Sequence, residues 1–332
     1  MCAIILSVLW IGCHPPGRCK INGAWIGHHF NAPIEQVALV NSPHGQLLLT
    51  YAGRTYVGYS MSPDGRIEAE QFHYQGGTSL LSDRIECAEF DGRMLRLVTS
   101  QQFIDISLSR TDSDFFRFDD DDRGVRIPLI EIIRCAVVDG MRYVVWSRSL
   151  SSITDANIEI GLGYLDSNHQ IHRLGVPFYS GESSSVRAAL RMPGTFDRDS
   201  RLWLLDIPTQ GVLLRVSLDG TVIAREPVVG TTPYLLHWLK MDDSRWSGLH
   251  GGRWVWFELT RRPINSPVEA GLAVSNTAQS LQFRLPSGDV LLVAASTDGL
   301  RVRRWEPQTA SLGPTIHTPM TIETCDIALS AH

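Results

Sequence analysis

The chain has 332 residues, is 43% hydrophobic and 20% charged, and carries a formal net charge of −5. That composition excludes disordered and fibrous classes, and the acidic balance lacks the basic footprint of a nucleic-acid-binding protein. The length fits two average domains or one large all-β domain.

Met1 to Gly12 is the longest apolar stretch and is followed by Cys13. At roughly a dozen residues it is too short to span a bilayer, so no transmembrane segment is expected. It reads either as an export or lipoprotein signal with Cys13 lipidated, or as a strand of the fold. No positively charged region precedes it, and Trp10 sits where a lipidation box carries a leucine-like residue; both features favour the strand. A strand implies a cytoplasmic chain, a lipoprotein signal the cell envelope. Cys13 and Cys19 flank a turn-like His-Pro-Pro-Gly-Arg and could close a small disulfide loop in an oxidising compartment.

Beyond this point no stretch reads as a helix. Short apolar runs rich in β-branched and aromatic residues stop at Gly, Asp, Asn and Pro clusters, which is the pattern of strands and turns. In the first unit, residues 36–41, 46–51, 56–60 and 66–73 form four such runs. Later examples are Arg142 to Trp146, Arg201 to Leu205 and Val290 to Val293. Asp91-Gly92, Asp139-Gly140, Asp219-Gly220 and Asp298-Gly299 supply the positive-φ positions of tight hairpins, as does Pro63-Asp64-Gly65.

These hairpins repeat. An Ile-Glu signature opens strands at Ile34-Glu35, Ile85-Glu86, Ile130-Glu131 and Ile322-Glu323, and similar openings without it occur near Arg187, Leu235 and Leu281. Taking Val37, Cys87, Cys135, Arg187, Leu235, Leu281 and Cys325 as equivalent gives spacings of 50, 48, 52, 48, 46 and 44 residues. A period in the forties with about four short strands per unit is the signature of propeller blades. The chain thus resembles the β-propeller superfamily at large, including NHL-type propellers, whose blades often carry an Asp-Gly hairpin like that of Val216 to Ile223. The resemblance spans almost the whole chain but matches no WD, kelch or sialidase-type motif, so it carries over no catalytic residue.

The expected fold is therefore a single all-β domain over residues 1–332: a seven-bladed β-propeller whose N- and C-terminal strands share one closing blade, about 1–33 and 322–332. A six-bladed propeller with a separate N-terminal segment is the alternative. Closure would remove the exposed sheet edges.

Candidate site residues lie where loops enter the first strand of each unit. His29, His73 and His317, with Glu35, Glu86 and Glu323, would gather at the channel mouth. There they could bind a divalent first-row metal or supply a general base. Glu131, His28, Tyr179 and Glu182 lie near the same rim. The structural reading is that the glutamates pair with arginines such as Arg84 and Arg134. The run Asp119 to Asp122, with Asp112 and Asp114, lacks calcium-loop spacing and reads as a solvated turn. Trp238 and Trp246, near Trp254 and Trp256, are candidates for an aromatic platform or for packing between blades. Cys87 and Cys135 read as inert buried thiols, and the cysteine spacing fits no structural zinc site.

Nothing in the sequence marks a nucleophile elbow or a phosphate loop. The first expectation is a non-enzymatic scaffold presenting its rim or channel mouth to a partner, most plausibly a protein, without a cofactor. A metal-assisted hydrolase or lyase, and an envelope lipoprotein with a binding propeller, are the alternatives.

Overall fold

Apolar residues at alternate positions, broken by turn residues, produce a chain of antiparallel hairpins in the computed structural model. It describes residues 18–21, 24–43, 45–53, 55–62, 65–75, 84–100, 102–107, 113–117, 130–149, 157–182, 194–207, 210–229, 236–250, 253–261, 279–285, 287–306, 309 and 311–325. Met1 to Gly12, Cys13, Asp119 to Asp122 and Arg187 fall outside them.

The chain begins with β1 (Arg18–Ile21) and β2 (Ala24–Ala32). A first meander follows: β3 (Gln36–Ser42), β4 (Gly45–Ala52), β5 (Thr55–Met61) and β6 (Ile67–Gln75). The second comprises β7 (Ile85–Phe90), β8 (Met94–Thr99), β9 (Gln102–Ser107) and β10 (Ser113–Arg117). In the third are β11 (Ile130–Val138), β12 (Met141–Ser149), β13 (Asn157–Leu165) and β14 (Ile171–Glu182). The fourth contains β15 (Gly194–Asp197), β16 (Leu202–Ile207), β17 (Val212–Val216) and β18 (Val222–Pro227). Then come β19 (Leu236–Lys240), β20 (Arg245–His250) and β21 (Arg253–Glu258), and after them β22 (Ser280–Arg284), β23 (Val290–Ser296), β24 (Gly299–Glu306) and β25 (Ser311–Pro319). The last described strand is β26 (Ile322–Cys325).

Each meander is a sheet whose strands lie in chain order, and the first two are joined where β3 and β7 pair in parallel at Val40–Ala88 and Asn41–Glu89. The first strands pack side by side in the succession β3, β7, β11, β15, β19, β22, and β22 packs back against β3. Small antiparallel sheets set around an axis with their first strands innermost make a β-propeller. The period places a shared unit at the chain ends, and there β2 pairs antiparallel with β26, from His29–Cys325 to Ala32–Ile322, with β1 on the far side of β2.

Burial follows the seams between sheets. One cluster joins the last sheet to the first through Leu281, Val293 and Val302 against Val37, Leu48 and Val57, with Ile34 and Ile322 closing it. Further clusters fill the next seams in turn: Val40, Tyr56 and Leu97; then Phe103, Ile132 and Trp146; then Val145, Leu162 and Trp203; then Leu204, Trp238 and Phe257; then Leu249, Trp254 and Leu292. Fully burying one such side chain contributes about 1.5–3 kcal/mol, so these seams dominate the stability of the ring.

Trp238 and Trp246, 4% and 3% exposed, pack in the seam between the fourth and fifth sheets, where the Phe257 ring lies 5.1 Å from that of Trp238, and both also line a cavity described below. One expectation is corrected. Cys87 and Cys135 are not inert thiols: they form a disulfide between β7 and β11, with their Cα atoms 5.6 Å apart. Among the described residues no helix is long and apolar enough to cross a membrane.

Candidate functional site: the axial cavity

Because the first strands of the six meanders pack side by side, they border a cavity of about 280 Å³. Its walls are drawn from β3, β7, β11, β19 and β22, together with Thr195, Phe196 and Arg198 from β15 and the turn after it. A second cavity of about 390 Å³ adjoins it and shares Leu39, Gln46, Thr195, Phe196 and Arg198.

A charged group stands where β7 begins. The Arg84 guanidinium grips Glu86 with both arms, Nε to Oε1 at 2.9 Å and Nη2 to Oε2 at 3.0 Å. Arg134, on the neighbouring β11, brings a second guanidinium to 3.9 Å from the same carboxylate and donates to the Gly194 carbonyl of β15 at 3.2 Å. Burial pulls Arg134 down to about 10, the nearby Arg84 charge adds to this, and Glu86 opposes it. One carboxylate thus faces two guanidiniums in a partly desolvated place. The Cys87–Cys135 bridge lies immediately beyond, on the cavity wall.

His237 enters the same cavity from β19 with φ of +53°. The other non-glycine residues with positive φ among the described residues, Asp139, His169 and Arg201, sit in hairpin turns; His237 lies inside a strand, where its pairing with β20 breaks between Leu236 and Leu239. Its carbonyl accepts a hydrogen bond from Gln282 Nε2 of β22. A left-handed residue within a strand costs on the order of 1–3 kcal/mol, so the surrounding sheet must hold it in place.

In the second cavity, Lys240 donates to Asp199 at 2.9 Å and lies 3.8 Å from Asp197. The hydrogen bond from Lys240 holds the Asp199 carboxyl below the usual range. Arg284 donates to the Met241 carbonyl. Arg198 lines both cavities and makes no ion pair among the described residues.

Of the residues expected at the mouth, Glu86 is in this group, paired with the two arginines named for it. His73 lies on β6 and His317 on β25, each the outermost strand of its sheet. They stand 3.7 Å from Glu70 and 3.5 Å from Asp298 respectively. Glu35, just before β3, and Glu323, on β26, are exposed. His29 lies on β2 opposite Cys325, its side chain outside the described part. Among the described residues no three His, Cys, Asp or Glu side chains converge as a metal-binding group.

The reading missed Arg198, His237 and the disulfide. For the disulfide the signal was present: Cys87 and Cys135 are equivalent residues of consecutive units, and equivalent positions on adjacent inner strands lie side by side. Arg198 and His237 follow no repeat, and the kink at His237 arises from pairing that only the folded sheet reveals.

No family model and no curated protein matches the chain. Solved structures similar to it include a streptogramin B lyase, at 8% identity and a TM-score of 0.42 over 88% of both chains. The Pseudomonas aeruginosa periplasmic gluconolactonase PpgL is similar at 14% identity and a TM-score of 0.44, over 87% of this chain and 86% of that one. The Dos1 propeller is similar at 9% identity and a TM-score of 0.43, over 89% of this chain and 88% of that one. At such identities nothing about their ligands or reactions carries over.

Proposed function

We propose that the chain is a non-enzymatic binding propeller whose working surface is the axial cavity and its mouth. The observation that carries this reading is one cavity walled by the first strands of successive sheets, in which Arg84, Glu86, Arg198, Gln46 and His237 meet among apolar side chains. A cavity in which a few polar groups converge is the default candidate for a ligand site. Glu86 supports binding over catalysis, because two guanidiniums already engage it and hold it as an acceptor. The Cys87–Cys135 bridge supports an oxidising compartment.

Ala136, on the cavity wall, gives the test. A screen of small neutral, anionic and cationic organic molecules by thermal shift is expected to find compounds that stabilise the native protein but not Ala136→Trp, which fills the cavity. Equal stabilisation of both proteins would overturn the reading. The enzyme alternative rests on His237, the imidazole among the described cavity-lining residues. It would replace the binding reading if a bound compound were turned over and His237→Asn, which keeps the left-handed backbone accessible, abolished the turnover.

A further inference from the structure

We infer that the axial cavity takes a small organic carboxylate with an apolar body, anchored on Arg198; this rests on the binding reading above. Three observations lead to it. First, Arg198 is the cationic residue common to both cavities, and it has no ion-pair partner among the described residues. Among the described residues, the carboxylates that line the two cavities are engaged elsewhere: Glu86 by Arg84 and Arg134, Asp199 and Asp197 by Lys240. Second, cationic side chains on these walls outnumber acidic ones: Arg84, Arg198, Lys240 and Arg284 stand against Glu86, Asp197 and Asp199. Arg134 adds its charge behind Glu86, in a chain whose net charge is −5. Third, Leu39 and Phe196 line both cavities together with Arg198 and offer apolar surface there.

A guanidinium presents a planar fork that matches a carboxylate with two parallel hydrogen bonds, and an anion arriving there meets a cation with no ion-pair partner among the described residues. The cavity volume, about 280 Å³, sits at the low end for ligand pockets, which calls for a small ligand. One guanidinium fork backed by apolar surface suits a monoanion with a hydrocarbon body better than it suits a phosphate dianion, which wants several donors on all sides.

Benzoate, benzamide, benzylamine and inorganic phosphate form a set that separates charge from shape. Titrated by calorimetry, benzoate is expected to bind the native protein, benzamide roughly tenfold or more weakly, and benzylamine weakest. Arg198→Ala is expected to cost benzoate roughly tenfold or more, Arg198→Lys somewhat less, with the unfolding temperature of both variants unchanged because Arg198 lies on an exposed turn. Benzoate that binds Arg198→Ala as tightly as the native protein, benzamide that matches benzoate, or a failure of benzoate to bind at all would each overturn the inference. Phosphate that outcompetes benzoate would overturn the apolar body. If benzamide or benzylamine binds and Ala136→Trp blocks it, the cavity remains a binding site and only the carboxylate falls. If Ala136→Trp blocks no compound that binds, the binding reading falls with it.

Discussion

Arginine carries most of this protein's positive charge, and its geometry shows why lysine would not serve. Arg84 meets Glu86 and Arg215 meets Glu226 through both arms of the fork, contacts an ammonium cannot copy. Glu86 holds two guanidiniums together while itself largely buried. Removing its charge leaves the Arg84 and Arg134 charges facing one another with no anion to offset them. Glu86→Gln is expected to lower stability by about 3 kcal/mol in urea unfolding, and Arg134→Met added to it to recover part of that loss. A second residue makes stability depend on pH. The His169 ring stacks on Phe103 at 4.1 Å between centroids and lies 3.7 Å from Asp105. Burial lowers its pKa; Arg142 and Arg96 act the same way, and Asp105 and Asp166 oppose them. Because the folded pKa lies below the unfolded value near 6.5, the unfolded chain takes up the proton first. The contribution of His169 is therefore present above about pH 6.5 and is lost as the pH falls through its folded pKa. Urea midpoints from pH 7.5 to 5 should fall less in His169→Asn than in the native protein; asparagine tolerates the backbone φ of +64° there. Parallel curves would remove His169 as the source.

At the scale of strands and turns, much was legible. The Asp-Gly pairs mark real hairpins: Asp139 and Gly140, at φ of +51° and +78°, form the tight turn between β11 and β12. Val37, Cys87, Cys135, Leu281 and Cys325 all fall in strands, the first three in the first strands of successive sheets and Leu281 in the first strand of the last meander. The opening expected near Arg187 lies outside the described residues, and the first described strand of that unit, β15, is the four-residue Gly194–Asp197, too short and too polar to show alternation. What no local pattern shows is contact between units. Gly220 illustrates it: the Asp219-Gly220 turn is readable, but in the fold a Cβ on Gly220 would lie 2.2 Å from the Leu174 carbonyl oxygen of the third sheet. Backbone cannot yield there as a flexible side chain does, and the φ of +87° adds its own penalty. Gly220→Ala is expected to cost about 2–3 kcal/mol in urea unfolding, more than a turn glycine with open space around it, such as Gly92. Equal losses at the two positions would show that the two sheets are not in contact at this turn.

For the molecule as a whole, the decisive question is what holds a ring of locally folded sheets shut. Most pairing here is between neighbours in sequence, and each hairpin gains its hydrogen bonds locally; the ring's cooperativity must come from the seams. Polar ties recur along the inner strands. Gln36 accepts from the Ile85 amide, the Cys87–Cys135 bridge joins β7 to β11, Arg134 reaches Gly194, Lys240 reaches Asp199, and Gln282 reaches the His237 carbonyl. Gln279 then donates to the Ile34 carbonyl at 3.0 Å, joining residues 245 apart in sequence. The final seam also contains the most distant pairing, β2 with β26. Ile322, 2% exposed, is the side chain by which β26 enters the cluster shared by the first and last sheets. Ile322→Ala removes that contact without touching either sheet's own hydrogen bonds, and a truncation of this kind costs about 2–5 kcal/mol in a core that cannot collapse around the gap. Hydrogen exchange gives the sharper readout. If the seam couples the chain's ends to the ring, amides of β2, β3 and β22 should lose protection together in Ile322→Ala, while those of β12 and β16, on the opposite side, keep theirs. Loss confined to β26 would mean that the terminal sheet rests on a ring already closed by Gln279 and the contacts between β22 and β3.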